Sequence, residues 1–434
     1  MEHHAAKPLQ LADRVVFTCQ NSGACCRNDW LIGVDDASHE RLRTIDWRAH
    51  DPAFPAGEKF TRLPLPLAGG ETITFARKPG GACIFLAADE KCSIHRHLGY
   101  AAKPQVCREF PYSFVETPDG VAVGVSFACT AVRGHHGRTL GEQQDDIRAV
   151  LLGSSRVNAL PDPITLYSGV DITWQEYRPI EASLLEILGR ADRRVPLALI
   201  AGSLLVNVCI GLRQVEARAR EQGRAPAETM ESGLAQLRES GYQRLFDIAA
   251  GIRYPRRPSS TYLAPLHAWL RLSRRRTSRF LLVAALYADY FKFRKMRGSL
   301  PDLVTNAGRI DLAAVRRVRF ASDAEGVDAF LREYWSHVLF RKTLAPMHGV
   351  FRGYHALLAL YGFTKWAAKL VAARHGRGET NLADVQEAVR LVEQRFVLHA
   401  QFVNVFSLSA VLTVMADRLF AQPSFVPAAV LEPT

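Results

Sequence analysis

Seven of the eight cysteines fall in the first third of the chain, at Cys19, Cys25, Cys26, Cys83, Cys92, Cys107 and Cys129. Thiolates are soft donors that hold zinc, copper(I) or iron–sulfur clusters, so a cluster of this density points to metal binding or redox chemistry. A disulfide framework is the weaker reading for a chain of 434 residues, which has ample apolar area to fold without staples. The N-terminal residues MEHHAAKPLQLADRVV show no apolar run followed by a small-residue cleavage site, so a reducing cytoplasm is the expected setting.

The spacing constrains the metal without choosing it. A structural zinc site is usually announced by Cys-x2-Cys pairs, and none occurs here. Cys19-x5-Cys25-Cys26 differs, because adjacent cysteines tend to diverge and would share one ion only in a strained loop. An iron–sulfur cluster, held on a wider frame, fits somewhat better than single zinc or iron, and all three stay open. His95 and His97 flank Cys92 and are possible nitrogen ligands or ordinary hydrogen-bonded histidines. Lys103 and Arg108 beside Cys107 either offset thiolate charge or lie at the surface. Cys209 sits alone in an apolar helical run and reads as a core thiol.

No catalytic residue is assignable. The chain carries no P-loop, no Gly-x-Ser-x-Gly elbow and no glycine-rich phosphate fingerprint after a strand. His135-His136 reads as a solvated turn, and Asp289-Tyr290 and Glu333-Tyr334 read as helix packing.

The elements that must carry the cysteines are short and irregular. Residues 12–18 form a β-branched run into Cys19, and Gly23 marks a tight turn before Cys25. Trp30, Ile32 and Val34 alternate as in a strand, Asp36 opens a short helix, and Thr72, Thr74 and Phe75 suggest another strand. Cys83 and Cys92 flank an apolar triplet and an acidic turn, as in a hairpin. Val121, Val123 and Val125 lead into Cys129. Beyond about residue 145 apolar residues recur at helical spacing, with a clear helix start at Thr380-Asn381. The expected fold is α+β: a small irregular cysteine-rich metal-binding module (1–145), then a large, mostly α-helical domain (146–425) and a tail (426–434).

The net charge of +12 raises nucleic acid as a partner, but arginines are scattered in groups such as Arg256–Arg257, Arg274 to Arg276 and Arg316–Arg317–Arg319 with no binding module around them. No nucleic acid is favoured. Val195–Leu212 and Val397–Ala416 approach the length of a membrane span, yet polar residues such as Asn207, His399 and Asn404 make buried helices the better reading.

Four segments, FTCQNSGACCR, GACIFLAADEKCSIH, KPQVCREFPYSF and SFAC, resemble the YkgJ-type zinc- or iron-chelating cysteine-cluster family over residues 17–130. The longer architecture is similar to that family's flagellin lysine-N-methylase branch. The resemblance implies ligation by some subset of Cys19, Cys25, Cys26, Cys83, Cys92, Cys107 and Cys129. It also implies an S-adenosylmethionine-dependent protein-lysine N-methyltransferase acting on flagellin or another protein; the alternative is a non-enzymatic metal- or cluster-carrying protein whose helical domain binds a partner. One departure stands out: the family's commonest opening is Cys-x2-Cys-Gly-x-Cys-Cys, and Ser22 occupies the second cysteine position.

Overall fold

The computed structural model describes residues 7–12, 14–28, 32–64, 71–154, 157–226, 228–254, 260–274, 279–305, 307–397 and 410–432. Trp30 and Leu31, Arg256–Arg257, Arg275–Arg276 and residues 398–409 of the second apolar stretch lie outside the described residues. The fold is α+β, dominated by helices with small sheets. Contacts divide the chain into two compact units, Met1–Ala159 and Leu160–Thr434.

The division falls later than the change of texture at 145 suggests, for a physical reason. Helix Gln144–Leu152 packs on helix Gln105–Glu109, and strand Val157–Ala159 pairs in parallel with Tyr112–Thr117, so both belong with the cysteines. The residues expected as a tail from 426 also have a structural place. They enter helix Phe425–Val430, and buried Lys365 donates to the carbonyls of Val430 and Leu431 at 2.8 and 2.9 Å.

The first unit is built from one four-stranded sheet and two small two-stranded pairings. The sheet runs Leu9–Leu11, Gly120–Val125, Tyr112–Thr117 and Val157–Ala159 in spatial order. Gly120–Val125 is buried throughout, which suits the strand with a neighbour on either side. Val16–Phe17 pairs with Arg138–Thr139, and Phe60–Pro64 with Glu71–Phe75. A separate aromatic core holds the segment between them. Trp47, Phe54, Phe75 and Phe85 pack together, with Phe85 edge-on to Trp47 at 4.9 Å and to Phe75 at 4.7 Å. Asp35 caps helix Asp36–Arg43 by accepting from the Ser38 amide.

The second unit is a helical body around Val350–Arg374, a helix buried on nearly every side by Leu382–Val392, Phe425–Val430, Val195–Glu221 and others. Capping boxes at Thr173/Glu176 and Asn381/Asp384 start two of its helices. Val195–Glu221 and Val350–Arg374 are long and apolar enough to cross a bilayer by length and composition. In the fold 67% and 89% of their apolar windows are covered by protein, so packing among helices accounts for their composition. Cys209 is fully buried in the first of them.

Candidate metal centre

The clustered cysteines sit on or beside short elements, most of them held by specific backbone or side-chain contacts. Cys25 and Cys26 lie in the single helical turn Ala24–Arg27, entered through Gly23 at φ +63°. A Cβ at Gly23 would meet the Glu90 carbonyl oxygen at 2.2 Å, so only glycine lets this turn press against the loop between Cys83 and Cys92. Arg27 pairs with Glu90 across the same contact. The Cys83 amide donates to the Cys26 carbonyl at 2.8 Å.

Cys83 and Cys92 bound a tight hairpin: Leu86 bridges Cys92, Ala87 donates to Lys91, and Ser93 donates to Phe85 at 2.8 Å. Phe85 pins this hairpin to the aromatic core. Cys107 lies in helix Gln105–Glu109, which Gln105 ties to the Val150 carbonyl at 3.2 Å. Cys129 directly precedes helix Thr130–Arg133, where Arg133 holds the carbonyls of Phe127 and Ala128 at 2.7 and 2.9 Å. Cys19 is exposed, in the loop after Val16–Phe17.

These five segments surround one cavity of about 560 Å³ lined by Cys19, Cys25, Cys26, Cys92, Cys107 and Cys129. Cys83 is buried and does not line the cavity, and it still acts electrostatically on Cys26 and Cys107. Lys103 and Arg108 line the cavity too, joined by Tyr100 and Tyr112. The two tyrosines carried no metal-binding signal in sequence. Ser22 lines it as well, and its hydroxyl lies 2.9 Å from that of Thr130, so at this position the serine stitches the opening loop to the Cys129 segment.

Neither candidate histidine lines the cavity. His95 stands edge-on to Tyr100 at 5.9 Å, its pKa lowered by burial and by the Lys103 charge. His97 lies against His50 at 5.1 Å. His135 and His136 are exposed, and the His136 carbonyl accepts from Thr18 at 2.9 Å.

Burial and crowding set the protonation of the thiols. The Cys26 thiol hydrogen-bonds Cys25 and pulls it down to about 7, burial opposes this, and Lys103 assists. Cys26 is pushed up by giving that bond, then by burial and the charges of Cys25, Cys83 and Cys92. Burial pushes Cys83 up to about 12 and Cys129 up to about 11, and it raises Cys107 well above the usual thiol value. A cation reverses this trend, because thiolates that repel one another in a low-dielectric site become favourable once they share a metal.

The donor set therefore suits zinc or iron in type. The Cys25 and Cys26 sulfurs are 4.0 Å apart. Adjacent cysteines do not diverge here, because the helical turn directs both into the cavity. Among the described residues no three His, Cys, Asp or Glu side chains already stand at a spacing that holds an ion.

No curated protein and no solved structure matches the chain. One family model does, described as CxxCxxCC, putative zinc- or iron-chelating domain, and it matches residues 18–130, the span that holds all seven clustered cysteines with Ser22 at the second position of the motif.

Proposed function

We propose that residues 18–130 bind zinc or iron through thiolates drawn from Cys19, Cys25, Cys26, Cys83, Cys92, Cys107 and Cys129. The observation that carries this reading is the convergence of six thiols, from segments more than a hundred residues apart, on one cavity. The match to a zinc- or iron-chelating domain supports it. Lys103 and Arg108 supply positive charge beside the thiolates, as an anionic metal–thiolate centre requires.

The test is metal and sulfide content of anaerobically purified protein with its electronic absorption, beside Cys25→Ser and Cys107→Ser. Bound zinc or iron that both variants diminish is the expected result. Protein with neither metal overturns the reading, and acid-labile sulfide with iron assigns an iron–sulfur cluster.

The finer reading is lysine N-methyl transfer from S-adenosylmethionine to flagellin or another protein. Its support is the order of parts, a cysteine module followed by a helical body. Incubation of reconstituted protein with labelled donor and flagellin tests it, and transfer no greater than background removes it. The metal reading stands independently of that outcome.

A further inference from the structure

We infer that the seven thiols make two adjoining centres of unequal access: an inner one of Cys26, Cys83, Cys92 and Cys107, and an outer one of Cys19, Cys25 and Cys129. The inference rests on the reading of this module as a metal site.

Two sets of contacts separate the thiols. Cys83 is part of the aromatic core, and Cys26, Cys92 and Cys107 pack against it; Cys19, Cys25 and Cys129 do not. The inner set is further tied by the Cys83-to-Cys26 amide bond, the Leu86–Cys92 bridge and the close approach at Gly23. The outer set hangs on different contacts. Val16–Phe17 pairs with Arg138–Thr139, Thr18 donates to the His136 carbonyl at 2.9 Å, and Ser22 meets Thr130. Gly137, at φ +119°, allows Thr18 an approach that a Cβ would block at 2.3 Å.

Cys25 and Cys26 line the same cavity with their sulfurs 4.0 Å apart, so the two centres adjoin there.

Coordination follows from these sets. Four thiolates close a tetrahedron, which is the form of a structural site. Cys19, Cys25 and Cys129 give three thiolates and leave one position facing the cavity, and Cys19 is exposed there. The inner ion is therefore retained and the outer one exchanges with thiophilic dications or external thiols.

Anaerobic titration of the full-length apoprotein with cobalt(II), followed by chelator-driven release from the loaded protein, tests the division. Two ions per chain, released in two phases, are expected. Cys19→Ser, at an exposed position, should lose the faster phase and one ion while the slower phase persists. Cys92→Ser should lose the slower phase, and Cys25→Ser should lose the faster one as Cys19→Ser does. One ion per chain, lost equally in Cys19→Ser and Cys92→Ser, overturns the two-centre inference and leaves the metal reading intact. A single iron–sulfide cluster does the same. No bound ion at all overturns the metal reading itself. Far-ultraviolet circular dichroism on each variant separates loss of ligand from loss of fold, and Cys129→Ser repeats the outer-site test from the other segment.

Discussion

The two units bury polar groups in opposite ways. In Leu160–Thr434 buried charges are completed from within: Arg341 with Glu393 at 2.6 Å, Lys342 with Glu181 at 3.1 Å, Arg352 with Asp417 at 2.7 Å and Lys365 with Glu432 at 2.9 Å. Tyr334 adds a hydrogen bond to Glu393 at 3.0 Å. In Met1–Ala159 the crowded groups are thiols of one kind, and ionising any of them raises the cost of ionising the next. The helical unit pairs these buried charges within itself, whereas ionised thiols in the cysteine unit repel one another unless a cation lies among them.

Chelation should break this symmetry most strongly. Removing metal anaerobically from loaded protein is expected to destabilise residues 18–130 on the scale of a structural zinc site, about 10 kcal/mol. The helical unit should keep its stability. Hydrogen exchange read by mass spectrometry resolves the two, and equal loss of protection in both units would contradict the contrast.

Opening a closed pair in the helical unit is the next largest effect. Glu393→Ala leaves Arg341, 1% exposed, without its carboxylate and should cost about 3–5 kcal/mol in urea unfolding. The metal content of the cysteine unit should not change.

Acid should act on the helical unit through His355. Burial holds its pKa down at about 4, against opposing effects of the Phe351 carbonyl and Asp417, so the folded state keeps it neutral. The unfolded histidine titrates near 6.5, so between about 6.5 and 4 the unfolded chain binds more protons. Stability is then complete above that window and falls as the pH drops through it, by about 3 kcal/mol. His355→Gln should flatten this part of the pH–stability curve measured by urea titration.

The smallest effect is expected at the stitch between the opening loop and Cys129. Ser22→Ala removes the bond to Thr130 and should cost about 1 kcal/mol, seen as a lowered melting temperature of the metal-loaded cysteine unit. An unchanged melting temperature would mean that the strand pairing at Val16–Phe17 alone holds that edge.

Much of the local structure was legible in the chain. Gly23 announced a tight turn, Asn381 a helix start, and the triplet between Cys83 and Cys92 a hairpin, because each depends on neighbours within a few residues. The direction of the adjacent cysteines was not. Divergence holds for an extended chain, but a helical turn rotates Cys25 and Cys26 towards one cavity. His95 and His97 were equally ambiguous, since proximity to Cys92 along the chain says nothing of the side of the helix they occupy.

The sequence by itself determined the candidate donors: seven thiols in the first third of a chain with no other assignable chemistry, and a serine where a related opening carries cysteine. Residue type fixes that chemistry irrespective of fold. Only the tertiary structure decided which thiols share a neighbourhood. That depends on contacts between segments far apart in sequence, such as Cys26 with Cys83 and Ser22 with Thr130, which local propensity does not encode. It also decided that Tyr100 and Tyr112 stand beside the thiols, because a side chain becomes part of a site through the packing that brings it there.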